Sequence, residues 1–287
     1  KDRWDIFDML HNKKLTEDIK VSVARSLAED IGDGDITAQL IPSSTMSDAF
    51  VVTREPAVLC GQAWFNEVFR QLDSHIKIEW LVEDGGSLEP EQIVCRLKGS
   101  ARSLLTGERA ALNFLQTLSG TATIAREYAK LTSGIGVTIL DTRKTIPGLR
   151  LAQKYAVVVG GCQNHRIGLY DAFLIKENHI AACGGIKYAV LKAREISPER
   201  PIEVEVETIS ELQEALAENV DIAMLDNFDP SMIKQAIAMN AGKIKLEVSG
   251  NIDTRNITQK AMPGIDYLSS GSLTKHCQAV DFSMRLI

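Results

Sequence analysis

The sequence predicts an α/β protein in two parts. A mostly antiparallel sheet with helices on one face comes first, and six strands of a parallel sheet, closing toward an incomplete α/β barrel, come second. Three features carry this reading. Strand-length runs separated by tight turns occupy residues 49–97. From residue 137 to residue 269, strand-length and helix-length runs alternate six times, at the spacing of βα units. A polar or charged group directly follows every one of those six strands, as in proteins whose chemistry lies at the carboxyl ends of a parallel sheet.

The composition bounds the function. With 287 residues, 45% hydrophobic and 24% charged, the chain has material for one large or two ordinary globular domains. A net charge of -6 speaks against general nucleic-acid binding, so Arg143, Lys144, Arg166 and Lys176 form a local basic patch in an acidic protein, suited to a small anion. The five cysteines are widely separated, without CxxC or His-paired zinc spacing, and read as reduced thiols. No apolar run approaches the ~20 residues that span a bilayer, and the polar start Lys1-Asp2-Arg3 has no signal-peptide core; no membrane association and a cytoplasmic location are expected.

Along the chain, Leu15, Ile19, Val23 and Leu27 recur at helical spacing ahead of the loop Glu29 to Asp35, EDIGDGD. Its acids lack the twelve-residue spacing and closing glutamate of a calcium loop, so no metal is expected there. Strands follow at 49–53, 57–60, 76–82 and 91–97, with a helix over 64–72. The Val82 to Ser87 turn resembles a lipoyl-type edge but carries no lysine at a hairpin tip, and an ordinary hairpin is the better reading. From Arg109 the texture changes to a helix marked by Leu115, Leu118, Ala122, Ala125 and Ala129, which places a boundary near Ser103 to Gly107. The expected divisions are a sandwich over 1–108, the barrel over 109–275, and a segment 276–287 able to pack back on the first domain. The barrel strands are expected at 137–141, 172–176, 202–207, 221–226, 243–248 and 265–269, with helices between them.

The strand ends carry the candidate chemistry: Asp141/Thr142/Arg143/Lys144, Lys176/Asn178, Glu205/Glu207, Asp226/Asn227, Ser249/Gly250/Asn251 and Ser270/Gly271/Ser272. In IEVEVE, strand alternation puts Glu203, Glu205 and Glu207 on one face and Val204 and Val206 on the other, so the acids point inward if the valines meet the helices. Three inward carboxylates call for cations or a metal. The two Gly-containing turns expose backbone N–H groups of the kind that hold a phosphate. His165-Arg166, with Arg143, Lys144 and Lys176, suits carboxylates and phosphates, and four cations against two or three acids imply an anionic ligand with a divalent metal between.

Long motifs in order resemble the quinolinate phosphoribosyltransferase family: EDIGDGDIT (29–37), LTGERAALNFLQTLSGTAT (105–123), LDTRKTIPGLR (140–150), KYAVVVGGCQNHR (154–166), DAFLIKENHI (171–180), EVEVET (203–208), MLDNF (224–228), LEVSGNI (246–252) and SSGSLTKH (269–276). The resemblance implies an amino-terminal open-faced sandwich, a six- or seven-stranded α/β barrel, and a homodimer or higher assembly. It also implies transfer of a phosphoribosyl group from phosphoribosyl pyrophosphate to quinolinate with decarboxylation, giving nicotinate mononucleotide, pyrophosphate and carbon dioxide, with Mg2+ as cofactor. By the same resemblance Arg143, His165, Arg166 and Lys176, with Thr142 and Lys144 nearby, bind the quinolinate carboxylates and the pyrophosphate. Glu205 and Asp226 hold ribose hydroxyls and the metal. Ser249, Gly250, Asn251, Ser270, Gly271 and Ser272 cradle the 5′-phosphate, Lys144, Lys176, Glu205 and Asp226 are the residues closest to the chemistry, and Arg109 enters the neighbouring subunit's site. The competing readings are a same-fold paralogue of the molybdenum-transport-associated type using another phosphoribosyl acceptor, which DTRKT and NHR oppose, and a non-catalytic anion-binding barrel, which would not need Glu205, Asp226 and Lys176 together.

Overall fold

Helix α1 (Lys13–Ile31) buries Leu15, Ile19, Val23 and Leu27, the positions whose spacing predicts it, and starts where the Asn12 side chain accepts the Lys14 N–H. The computed structural model describes residues 9–287 except His11, so the polar start Lys1-Asp2-Arg3 lies outside the described residues. After α1 the acidic loop is a turn and cap: Asp35 Oδ1 accepts the N–H groups of Thr37 and Ala38, and its Oδ2 the Thr106 hydroxyl.

Two units make up the chain, the first comprising residues 1–126, 146–161 and 276–287. Its sheet runs β12-β1-β5-β3, where β1 is Met46–Thr53, β3 Lys77–Trp80, β5 Ile93–Ser100 and β12 Phe282–Leu286, all neighbours antiparallel. The carboxy-terminal β12 pairs with β1 from Thr53↔Phe282 to Ala49↔Leu286. Helix α2 (Gln62–Leu72) buries Trp64, Phe65, Val68 and Phe69 in this unit's core. The strand expected at 57–60 is only β2 (Ala57–Val58), paired with β4 (Ser87–Leu88) in an ordinary antiparallel bridge.

No break exists near residue 108. Helix α3 runs unbroken over Ala101–Leu131. Gly107, read from sequence as a break, is a packing site: a Cβ there would lie 2.7 Å from Phe69 Cε1 and 2.9 Å from Leu72 Cδ1. The two-domain division at 108 therefore shifts, with the first unit ending at Arg126 and taking back α4 (Arg150–Gly160).

The second unit, 127–145 and 162–275, holds a six-stranded parallel sheet in the order β6-β11-β10-β9-β8-β7. Its strands are β6 (Thr138–Leu140), β7 (Phe173–Ile175), β8 (Ile202–Val206), β9 (Ile222–Asp226), β10 (Lys245–Ser249) and β11 (Tyr267–Ser269). The helices between them are α5 (Glu177–Cys183), α6 (Ile186–Ile196), α7 (Ile209–Ala217), α8 (Pro230–Asn240), α9 (Ile257–Lys260) and α10 (Ser272–Lys275). Consecutive strands β6 and β7 stand at opposite edges, and Gln163 adds a single parallel bridge beside Leu140, which makes this an open, incomplete barrel. Val204, Val206, Ala223, Leu225, Leu246 and Val248 are fully buried, as alternate positions of a doubly covered sheet should be. No described helix is long and apolar enough to cross a membrane.

Candidate active site

Because all six strands run in parallel, their carboxyl ends bring the predicted groups to one end of the second unit. The ends of β6 and β11 interlock. A Cβ on Gly271 would lie 2.9 Å from Lys144 Cδ and 3.4 Å from Thr142 Oγ1, so the absence of a side chain at 271 keeps these segments together. Ser270 N–H donates to Leu140 C=O at 3.0 Å, and the Thr274 hydroxyl to Lys144 C=O at 2.7 Å. Thr142 Oγ1 in turn accepts the Lys144 N–H at 3.1 Å.

The β9 and β10 ends interlock in the same way. Asn227, Gly250 and Asn251 have φ values of 57°, 94° and 49°, a left-handed backbone that glycine and asparagine tolerate best. A Cβ on Gly250 would lie 2.3 Å from Asn227 Oδ1 and 2.8 Å from Asn227 N. The two turns meet where the Ser270 hydroxyl donates to Ile252 C=O at 2.6 Å and accepts the Ser272 N–H at 3.2 Å. Among the described residues, the N–H groups of Gly250, Asn251 and Gly271 have no intramolecular acceptor, as an anion cradle requires. Lys260, absent from the sequence-based set, donates to Gly250 C=O at 3.0 Å. Burial pushes its pKa down, opposed by Asp226.

At the ends of β7 and β8, the Lys176 ammonium is ion-paired with Glu205. Lys176 also caps α5, its N–H donating to His179 Nδ1 at 3.0 Å. Asp226 Oδ2 accepts the Asn227 amide at 2.8 Å. Glu177, Glu207 and Asp226 crowd here: Glu207's pKa is raised chiefly by Glu177, with Glu211 and Asp226 adding to it. Glu205 and Asp226 carry carboxylate oxygens, the donor type a hard divalent cation takes.

The inward acids are not the three expected. Glu203 is inside, Glu205 sits at the mouth with Lys176, and Glu207 is exposed beyond the strand end. The carboxylate buried beside Glu203 is instead Glu247, from β10. Glu203 and Glu247 converge on His165 Nε2, at 3.0 and 3.5 Å. Burial first, and then the charge of Glu203, pushes the Glu247 carboxyl up to about 8. His165 Nδ1 accepts the Arg166 N–H at 2.7 Å, and the His165 N–H donates to Asp141 Oδ1 at 2.8 Å. Both ring nitrogens are thus engaged within the protein. Arg166 donates to Ala172 C=O at 3.1 Å, and its pKa is lowered by burial and then by the charge of Arg143. Glu247 had a readable signal: in KIKLEV it alternates with Leu246 and Val248 as the glutamates of IEVEVE do with valines.

Arg109 does not open a helix. It is exposed, well inside α3, beside Glu108.

Comparison with known proteins bears on the whole chain. Residues 35–119 match the family model described as "Quinolinate phosphoribosyl transferase, N-terminal domain", and residues 121–285 its C-terminal counterpart. A Bacillus subtilis protein called a probable carboxylating nicotinate-nucleotide pyrophosphorylase is 41% identical over 257 residues, covering 89% of each chain. A chloroplastic relative of that name from Oryza sativa is 37% identical, covering 94% of this chain and 78% of its own. Among solved structures, the nicotinate-nucleotide pyrophosphorylase from Francisella tularensis superposes with a TM-score of 0.92 at 50% identity, over 95% of this chain and 97% of that one. A Streptococcus pyogenes structure superposes with a TM-score of 0.91 at 41% identity, over 94% and 96%. Matched along both units and carrying the strand-end groups its motifs require, the chain belongs to the quinolinate phosphoribosyl transferase family.

Proposed function

We propose that the chain transfers the phosphoribosyl group of phosphoribosyl pyrophosphate to the ring nitrogen of quinolinate, releasing pyrophosphate and, on decarboxylation, carbon dioxide, to give nicotinate mononucleotide for NAD biosynthesis. The observation that supports this reading is the gathering of strand ends at one end of the sheet, with cations after β6 and β7 and N–H groups without an intramolecular acceptor at Gly250, Asn251 and Gly271.

A dianionic pyridine and a polyphosphate need neutralising and aligning far more than they need a nucleophile. Arg143, Arg166 and Lys176 serve the quinolinate carboxylates and hold the ring nitrogen toward the sugar, Arg bidentately. Lys144, against the 270–272 turn, serves the departing pyrophosphate, whose developing charge is the main electrostatic demand of a step that leaves an oxocarbenium-like ribose. The 249–251 and 270–272 turns cradle the 5′-phosphate. Glu205 and Asp226 hold ribose hydroxyls, and would hold Mg2+, which when bound neutralises pyrophosphate oxygens. Once alkylated, the cationic ring accepts the electrons released at C2, so no organic cofactor is required. We further propose a homodimer in which Arg109 completes the partner's site, which explains an exposed arginine on a helix of the first unit. Incubation with quinolinate, phosphoribosyl pyrophosphate and Mg2+ tests the reading: mass spectrometry should show nicotinate mononucleotide, and its absence would reject the assignment.

A further inference from the structure

Three successive carbonyls of the turn after β10 are each held by a side chain that follows it in sequence. The Lys260 ammonium donates to Gly250 C=O at 3.0 Å, Asn256 Nδ2 to Asn251 C=O at 2.7 Å, and the Ser270 hydroxyl to Ile252 C=O at 2.6 Å. Asn256 is itself oriented, since its Oδ1 accepts the Asp253 N–H at 3.0 Å. In a planar trans peptide the C=O and N–H point in opposite directions, so fixing a carbonyl also fixes the N–H of the next residue. The bonds from Lys260 and Asn256 therefore aim the N–H groups of Asn251 and Ile252 away from their own side of the turn. Among the described residues neither N–H has an intramolecular acceptor. Asn251, at φ 49°, holds a conformation that a non-glycine residue keeps only where surrounding bonds impose it.

We propose that Lys260 is a positioning residue for the ribose 5′-phosphate: it holds the Gly250–Asn251 peptide with its N–H toward the phosphate and does not itself touch the substrate. This rests on the reading of the 249–251 turn as part of the 5′-phosphate cradle. Lys260 is partly buried at the end of α9, and its ammonium is committed to a carbonyl. A cation on that carbonyl also polarises the peptide and strengthens its N–H as a donor to an anion. Without the ammonium, Gly250 C=O loses this partner, and a glycine peptide has the freedom to turn over. A turned peptide presents an oxygen where the phosphate needs a donor. Asp226 is the charge that acts on Lys260, so the rival role is that of a counter-charge to this carboxylate.

Two variants separate these roles. Lys260→Met removes the donor and keeps the apolar stem, whereas Lys260→Arg keeps a charged donor. Lys260→Met should raise KM for phosphoribosyl pyrophosphate about tenfold with kcat changed less, and should weaken calorimetric binding of ribose 5-phosphate to a similar degree. Quinolinate affinity should stay within about twofold of wild type, and Lys260→Arg should bring the phosphoribosyl pyrophosphate KM back to within about threefold. Unchanged ribose 5-phosphate binding in folded Lys260→Met overturns the proposal, as does a loss shared equally by quinolinate. A raised Mg2+ requirement with ribose 5-phosphate binding intact overturns it too, and assigns Lys260 to Asp226. If Lys260→Met does not fold, Lys260→Gln, shorter and uncharged, decides by the same comparison. Wild-type protein that does not bind ribose 5-phosphate would instead reject the cradle itself, whereas binding by wild type and Lys260→Met alike rejects only the role of Lys260.

Discussion

Lys176 and Glu205 are ion-paired across the ends of β7 and β8, so each holds the other's charge at the barrel mouth. Removing Lys176 leaves Glu205 facing an anionic substrate without its counter-charge. Lys176→Ala should therefore weaken quinolinate binding by roughly 2–3 kcal/mol, the lower part of the range for a lost charge partner because Lys176 is partly exposed. Arg166→Ala should do the same. Calorimetric titration with quinolinate measures both, and wild-type affinity in a folded Arg166→Ala protein would remove Arg166 from the site.

Gly250 has no room for a side chain beside Asn227, with a Cβ due at 2.3 Å from Oδ1. Gly250→Val should raise KM for phosphoribosyl pyrophosphate by about tenfold or more, well beyond its effect on quinolinate, because a branched side chain both displaces Asn227 and screens the N–H groups. Initial rates against each substrate decide it; equal effects would point to general misfolding.

The positions of the six parallel strands and the polar groups at their ends were legible in the sequence, since a parallel sheet writes each strand as an apolar run and puts its polar groups next. Helix 186–196 is as expected because Ile186, Ala189, Val190 and Ala193 sit at helical spacing. What was missed depends on long-range partners. Gly107 looks like a break until Phe69 and Leu72 are seen against it. The strand at 282–286 exists because 49–53 pairs with it, which no local pattern reveals. Lys260 acquires meaning from its bond to the Gly250 carbonyl, and the pairing of Glu247 with His165 joins residues far apart in sequence.

In the first unit, Asp84 accepts the N–H groups of Gly61 and Gln62 at the start of α2 and the Tyr155 hydroxyl at 2.8 Å. Burial outweighs these bonds and pushes the carboxyl up to about 6. A folded-state pKa above the unfolded value means that the folded protein holds this proton more tightly. Its contribution is thus fully present below about pH 4 and is lost as pH rises through about 6. The thermal midpoint of wild type minus that of Asp84→Asn should fall by about 2–4 °C between pH 4.5 and pH 7.5. A difference that stays constant or grows with pH would contradict the shift.

Arg109 and Lys176 should complement in trans. Arg109→Ala and Lys176→Ala proteins, each nearly inactive, should regain activity when mixed and allowed to exchange subunits, because a mixed dimer has one site with both residues intact. A random mixture should reach roughly a quarter of wild-type activity. No recovery after demonstrated exchange would assign Arg109 to its own chain's site or to none.

The most direct measurement is the stoichiometry of the reaction itself, with quinolinate labelled in its C2 carboxylate. We predict that carbon dioxide and pyrophosphate appear in equal amounts, only when quinolinate, phosphoribosyl pyrophosphate and Mg2+ are all present, with nicotinate mononucleotide formed to match. Pyrophosphate release without labelled carbon dioxide, or turnover of another acceptor in place of quinolinate, would contradict it.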